Sequence, residues 1–207
     1  MTHILALHSS LSSEHSISSR LINQTVAALR QSAPNAEVTV RDLAASPVPH
    51  LDGEALSGIR GDAVTEAQIA GRALANKLFS ELKAADVLVI GAPMYNFGIP
   101  SSLKAWFDYV LHPGVTFQYG EGAPKALLTG KRAIVILSRG GFYSDGPAKA
   151  YDSQEPHLRA LLGFIGITDV TFIYAERLAM GLQVQEAALA TATGEIERAV
   201  EACNAAA

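Results

Sequence analysis

The amino-acid sequence predicts an α/β fold with a five-stranded parallel sheet and helices on both faces. Five short apolar runs alternate with longer segments in which apolar residues recur at helical spacing. The clearest run, Val87-Leu88-Val89-Ile90, has the continuous apolar character of a strand that is buried on both faces. Strands separated by helices pair in parallel through right-handed crossovers, which leaves helices on both sides of the sheet.

The predicted elements follow one another in a regular βα order. Strands are predicted at 4–7, 37–41, 86–91, 133–137 and 170–174, and helices at 17–31, 64–83, 100–110, 153–164 and 184–202. The second strand is the least apolar and is predicted to lie near an edge. This spacing favours the flavodoxin-like strand order 2-1-3-4-5.

Two connections are longer than the others. Residues 44–63 contain two prolines and three glycines and are predicted to be an irregular excursion. Residues 112–130 form a connection of a length that is uncommon inside a compact domain and often functional. We expect this second connection to line a pocket.

Composition narrows the class of protein. The 207 residues fit a single domain, 1–207, and 49% of them are hydrophobic, which is enough for a substantial core. The net charge of -4 does not point to nucleic acid, and no basic run suggests a membrane surface. No apolar run approaches the length of a bilayer span and no signal peptide is recognisable, so a cytoplasmic protein is expected.

The sequence offers no metal or disulfide chemistry. Its one cysteine, Cys203, excludes an intramolecular disulfide and a thiolate metal cluster. Its six histidines show no metal-ligand spacing. No Cys–His or Ser–His–Asp arrangement stands out, so no protein nucleophile and no metal are predicted.

In a sheet of this order, ligands bind beyond the carboxyl ends of the strands, near the switch point between strands 1 and 3. The first loop there, 8–19, is rich in serine and leads into a helix, with Ser16 and Ser18 where N-cap residues fall. A helix N-terminus with free N–H groups binds phosphate, although an ordinary serine cap would leave the same pattern. The loop lacks Gly-x-Gly-x-x-Gly and the P-loop motif, which disfavours an NAD-type site and a triphosphatase.

Two further loops complete this edge of the predicted sheet. Residues 91–100 combine apolar and aromatic side chains with Asn96 and Gly98, a composition suited to a wall against a ring system, although these side chains could also be core. Residues 138–143 contain the pair Gly140-Gly141, which allows a backbone to approach a ligand closely.

With these three loops, the chain resembles the FMN-dependent NADH azoreductase family, a branch of the flavodoxin-like quinone reductases. The resemblance runs nearly end to end. Its most specific segment is Ala92-Pro93-Met94-Tyr95-Asn96-Phe97, and it is also carried by Ser138-Arg139-Gly140-Gly141, by 161–170 and by 40–44 with 47–49.

The resemblance implies a non-covalently bound FMN whose contacts come from the three loops. The phosphate is expected at Ser10 and at the turn Ser16-Ile17-Ser18, where Ile17 departs from the polar residue of the family. The isoalloxazine is expected against Met94, Tyr95, Asn96 and Phe97, and its pyrimidine end under Ser138, Arg139, Gly140 and Gly141.

The resemblance also implies a homodimer with substrate pockets at the subunit interface. Candidate walls of these pockets are Phe117, Tyr119, Phe142, Tyr143 and Phe164. The implied reaction is a ping-pong transfer of hydride from NADH to the flavin N5 and then to a quinone or azo compound, with NADPH left as an alternative donor. Two other functions stay open: an FMN electron carrier that docks to proteins, which the dispersed acidic residues disfavour, and a non-catalytic flavodoxin-like module.

Overall fold

A five-stranded parallel sheet organises the chain. The computed structural model describes residues 2–12 and 15–205. The strands are β1 (His3–His8), β2 (Glu37–Asp42), β3 (Val87–Pro93), β4 (Phe117–Gln118), β5 (Lys125–Ala126), β6 (Arg132–Ser138) and β7 (Asp169–Ala175). The helices are α1 (Ile17–Ser32), α2 (Gly53–Arg60), α3 (Glu66–Ala84), α4 (Ser101–Val110), α5 (Gln154–Ile165) and α6 (Leu182–Ala205), with a 3-10 turn at Pro147–Tyr151.

The strand order of the main sheet is β2-β1-β3-β6-β7, and all of its neighbours pair in parallel. The order agrees with the predicted 2-1-3-4-5 once β4 and β5 are set aside, because these two short strands pair only with each other. As predicted, β2 lies at an edge. The chain leaves β1 toward β2 and then returns to the other side of β1 as β3, which creates the switch point at the carboxyl ends.

Helices cover both faces of the sheet, as predicted. Successive side chains of a strand point to opposite faces, so the central strands divide their apolar residues between two cores. Leu5 and Leu7 of β1 pack with α3, α4 and α5 on one face. Ile4 and Ala6 pack with α1 and α6 on the other.

Residues 44–63 contain a helix, although an irregular segment was predicted. Within this range α2 begins after Asp52, whose side chain caps the helix by accepting a hydrogen bond of 2.8 Å from the Ala55 N–H. One of the glycines that indicate a turn in the sequence, Gly58, has another role here. A Cβ on Gly58 would lie 2.3 Å from the carbonyl oxygen of Gln68 in α3, so the glycine is what lets α2 and α3 approach.

The long connection 112–130 is also partly ordered. It contains the two-stranded ribbon of β4 and β5, in which Phe117 pairs with Ala126. The Leu128 N–H donates to the carbonyl of Ile165 at the end of α5, which ties the connection to the body of the fold. Among the helices of the described residues, none is both long enough and apolar enough to cross a membrane.

Replacing Gly58 by alanine should destabilise the protein by about 1–3 kcal/mol, because the new methyl group overpacks the contact between α2 and α3. Gly163 lies inside α5 with nothing within 4 Å of its Cβ position, so it provides a matched control. Gly163→Ala should be neutral or stabilise by about 0.4–1 kcal/mol. Urea denaturation of both variants measures the difference, and equal midpoints would contradict the close approach.

Tyr174 should make the folded state sensitive to alkali. Burial and a hydrogen bond of 2.7 Å to Glu155 raise the pKa of Tyr174 to about 12. The folded state therefore holds this proton more tightly than the unfolded chain, where a tyrosine has a pKa of about 10. The resulting stability is complete below pH 10 and is lost as the pH rises from about 10 to about 12.

Urea denaturation between pH 9 and 12 measures this loss against Tyr174→Phe, in which the contribution is absent. Tyr119→Phe removes an exposed phenol and is the control, which should lose stability with pH as the wild type does. A Tyr174→Phe variant with the same pH dependence as the wild type would show that this hydroxyl is not responsible.

Candidate functional site

The carboxyl ends of β1, β3 and β6 bring the three predicted loops to one edge of the sheet. The Leu11 N–H of the first loop donates to the Tyr95 hydroxyl of the second at 3.0 Å. The Met94 N–H donates to the carbonyl of Ser138 at 2.9 Å, which joins the second loop to the third. The loops that were predicted to share a site are therefore linked by direct hydrogen bonds.

The first loop ends at the N-terminus of α1. Ser16 caps this helix by accepting a hydrogen bond of 3.0 Å from the Ser19 N–H, and its hydroxyl also lies 3.1 Å from the hydroxyl of Ser18. The backbone N–H groups of Ile17 and Ser18 make no hydrogen bond within the described residues. The end of the helix thus contains an ordinary serine cap together with N–H groups that, among the described residues, have no partner and could bind an anion.

The rest of this loop is held close to the sheet. Ser9 donates from its hydroxyl to the carbonyl of Gly91 at 2.6 Å, and the Ser10 hydroxyl accepts from the Ser12 N–H at 3.3 Å. Ser10 is buried. Ser13 and Glu14 of the predicted loop lie outside the described residues.

The second loop is a tight turn with unusual backbone geometry. Tyr95 and Gly98 exchange backbone hydrogen bonds of 3.0 and 3.1 Å. The two central residues have positive φ, 48° at Asn96 and 72° at Phe97, as in a type I′ turn. A bulky side chain seldom adopts this conformation, and such strain is concentrated at functional sites.

This turn projects its polar backbone and aromatic side chain outward. The N–H groups of Asn96 and Phe97 have no partner among the described residues. Phe97 is exposed, and Met94 and Tyr95 are half-buried, so these side chains are not simply core. The turn can therefore offer both donors and an apolar surface to a flat ligand.

The third loop is held by hydrogen bonds from the residues that follow β7. The N–H groups of Arg177 and Ala179 donate to the carbonyls of Gly141 and Gly140 at 2.7 and 3.0 Å. The N–H groups of the two glycines make no hydrogen bond within the described residues. A Cβ on Gly141 would lie 2.9 Å from the ring of Tyr143, so a larger residue would displace this side chain.

Arg139 does not face outward with the rest of the third loop. Its side chain is completely buried and lies 2.9 Å from Asp152 and 3.0 Å from Glu176 in two ion pairs. It also donates to the side-chain oxygen of Gln154 at 2.9 Å. Its backbone is engaged as well, because the N–H donates to Ala175 at 2.8 Å and the carbonyl accepts from Leu178 at 3.1 Å, so Arg139, at 1% exposure, offers no surface to a ligand at this edge.

The aromatic residues predicted as pocket walls form two groups. Phe117 lies 4.5 Å from Phe164 and 5.3 Å from Tyr119 between ring centres, beside the β4–β5 ribbon. Tyr143 instead lies 6.0 Å from Phe97, in the turn of the second loop. The remaining member, Phe142, stacks under the guanidinium of Arg177 at 4.1 Å.

Several residues of this region were not predicted from the sequence. Tyr151 lies 5.4 Å from Phe97 and extends the aromatic surface of the second loop. Asp152, Gln154 and Glu176 surround the buried Arg139. A signal for them was present, since an arginine in a glycine-rich loop between apolar strands requires acidic partners if it is buried.

Two depressions flank the first loop. One, of about 580 Å³, is lined by His8, Ser10, Leu11, Ser19, Asn23, Val40, Asp42, Ala44 and Ala45. Burial lowers the pKa of His8, although the Asp42 carboxylate opposes this. A second depression, of about 520 Å³, opens beside the N-terminus of α1 and is lined by His15, Ser16, Ile17, Ser19, Arg20, Asn23 and Gln185.

Within the described residues, no group of three His, Cys, Asp or Glu side chains could hold a metal ion.

Proteins that are similar to this chain over nearly its full length have related names. A family model described as flavodoxin-like fold matches residues 2–200. The chain is 49% identical over 201 residues to an FMN-dependent NADH:quinone oxidoreductase of Hyphomonas neptunium, with 97% of both chains covered. It is 50% identical to a protein of the same name from Azotobacter vinelandii, over 93% of this chain and 96% of the relative.

Solved structures agree with this relationship. An azoreductase of Bacillus anthracis superposes with a TM-score of 0.85 at 27% identity and covers 99% of both chains. An FMN-dependent NADH-azoreductase from the same species, solved in complex with FMN, superposes with a TM-score of 0.88 at 25% identity, over 98% of this chain and 99% of that one. The chain belongs to the flavodoxin-like family of FMN-dependent NADH:quinone oxidoreductases and azoreductases, as the resemblance of its loops predicted.

Proposed function

We propose that this protein is an FMN-dependent NAD(P)H oxidoreductase that reduces quinones and azo compounds by two-electron transfer in a ping-pong cycle. The observation that carries the proposal is a set of backbone N–H groups at the switch point that have no hydrogen-bond partner among the described residues. They come from three loops, at Ile17 and Ser18, at Asn96 and Phe97, and at Gly140 and Gly141. The names of the full-length relatives support the same activity.

The chemistry of these donors fits the parts of FMN. The free N–H groups at the start of α1, together with the helix dipole, suit the terminal phosphate. The glycine N–H groups of the third loop suit the carbonyl oxygens of the pyrimidine ring. The exposed Phe97 and the half-buried Met94 supply an apolar surface for the ring system.

The protein residues bind and orient, and the redox chemistry belongs to the cofactor. FMN, when bound, supplies a group that takes a hydride from a nicotinamide and passes two electrons to an acceptor. The surface formed by Phe97, Tyr143 and Tyr151 suits flat aromatic acceptors, because ring stacking discriminates weakly between them. No residue of the chain is assigned a catalytic proton transfer.

We further infer that the single domain acts as a homodimer. Phe164 and Tyr119 are exposed beside Phe117, and a second copy would cover them. The sequence expectation of a cytoplasmic location stays a prediction. The dispersed acidic residues continue to disfavour an electron carrier that docks to proteins.

Anaerobic stopped-flow mixing tests the proposed activity. Protein loaded with FMN should lose its flavin absorbance on mixing with excess NADH and regain it on addition of menadione. The same experiment with NADPH measures the choice of donor. Protein that binds FMN but is bleached only by dithionite would instead be an electron carrier, and protein that binds no FMN would be a non-catalytic module.

A negative charge introduced at position 17 should weaken binding of the FMN phosphate. Ile17→Asp adds a negative charge at the N-terminus of α1, which favours the helix but repels a phosphate. Relative to Ile17→Asn, a neutral variant of the same shape, it should weaken FMN binding about tenfold, which corresponds to about 1.4 kcal/mol. Riboflavin lacks the phosphate and should bind both variants equally.

Titration of flavin fluorescence with each apoprotein measures these affinities. If Ile17→Asp and Ile17→Asn bind FMN equally well, the phosphate does not lie at this helix terminus.

A further inference from the structure

We propose that Arg139 and Glu176 are positioning residues that hold the second and third loops in the geometry that receives the isoalloxazine, without contacting the flavin. This inference rests on the proposed function, and it deepens that function. It concerns the interior behind the site, where three charged side chains lie together with one amide. We call Arg139, Asp152, Gln154 and Glu176 the buried polar cluster.

Arg139 is the centre of the buried polar cluster. Its Nε donates to the Gln154 side-chain oxygen at 2.9 Å. One terminal nitrogen donates to Glu176 at 3.0 Å and the other to Asp152 at 2.9 Å. The planar guanidinium thus serves three partners in three directions, which a lysine ammonium on a flexible stem would not reproduce.

Glu176 connects Arg139 to the backbone of the third loop through hydrogen bonds. Its Oε1 accepts hydrogen bonds from the N–H groups of Tyr143 and Ser144 at 2.8 and 3.0 Å, in addition to that from Arg139. Its Oε2 accepts from the hydroxyl of Ser144. One carboxylate therefore sets the path of the chain immediately after Gly140 and Gly141, whose free N–H groups belong to the site.

Residues at the start of α5 restrain the second loop through hydrogen bonds. Gln154 donates from its side-chain nitrogen to the carbonyl of Ala92 at 2.8 Å, at the end of β3. Its neighbour Ser153 donates from both N–H and hydroxyl to the carbonyl of Phe97, at 3.1 and 2.8 Å. The strained turn at Asn96 and Phe97 and the glycine pair are thus connected to one buried guanidinium.

Burial makes this arrangement rigid. The side chain of Arg139 has no exposed surface, and those of Asp152 and Glu176 are 8% exposed. In so little water, a group that loses its partner cannot regain a hydrogen bond from solvent, so the geometry tolerates few alternatives. The cluster carries two carboxylates for one guanidinium, and backbone N–H groups of the loop and of α5 provide the remaining donors.

The test compares Arg139→Lys and Glu176→Gln with Arg159→Lys, which makes the same change in an exposed ion pair with Glu155. Arg139→Lys keeps the charge and loses the planar fork. Glu176→Gln keeps one oxygen as an acceptor and loses the charge. Ser144→Ala is a milder variant that removes only one hydroxyl contact to Glu176, for use if the first two do not fold.

One measurement on the apoprotein and two titrations, with FMN and with riboflavin, separate positioning from direct contact. Amide hydrogen exchange at Tyr143 and Ser144, whose N–H groups donate to Glu176, should accelerate at least tenfold in Arg139→Lys and Glu176→Gln, and twofold or more in Ser144→Ala, with exchange at the start of α1 unchanged. Affinities for FMN and riboflavin should fall together, at least tenfold for the first two variants. Arg159→Lys should stay within twofold of the wild type in every measurement.

Three results would overturn the proposal. Variants that exchange faster in the loop but bind FMN within twofold of the wild type would show that the cluster does not position the site. Variants that lose affinity with unchanged exchange in the apoprotein would show that Arg139 contacts the flavin directly. A wild-type protein that binds neither FMN nor riboflavin would overturn the proposed function, and this inference with it.

Discussion

Parallel pairing of β1, β3 and β6 is the constraint on which the rest of the structure depends. Parallel strands all end at the same edge, so the loops that follow them are neighbours although they lie far apart in sequence. The register places Pro93 beside Ser138, and the hydrogen bond from Met94 to Ser138 continues the ladder into the loops. Each loop then contributes free backbone donors to a common surface.

The candidate site consists of backbone groups more than of side chains, so the surrounding side chains are needed to hold the backbone in place. A backbone donor is useful only where the chain is held in one conformation, and irregular loops do not hold themselves. Phe97 keeps a positive φ because Ser153 and the exchange of hydrogen bonds between Tyr95 and Gly98 restrain the turn. Gly140 and Gly141 are restrained by the chain after β7. The polar residues of the interior are therefore part of the site although they lie behind it.

The fold was largely predictable because its signals are local. Continuous apolar runs identify buried strands, and the helical spacing between them forces parallel connections. The main error was at 44–63, where glycines indicated an irregular segment. At Gly58 and Gly71 the missing Cβ permits contact between α2 and α3, a tertiary use of glycine that is not distinguishable in sequence from a turn.

The sequence by itself determined the fold class, the family, and which loops meet at one edge of the sheet to form the candidate site, because the strand pattern and the loop motifs are contiguous in the chain. Only the tertiary structure decided which side chains face the site. It directs Arg139 inward to Asp152 and Glu176, and it divides the predicted aromatic wall between Phe117 and Tyr143, which belong to separate groups. The physical reason is that side-chain direction in a loop depends on partners from distant elements, and these partners meet only when the sheet and α5 have assembled.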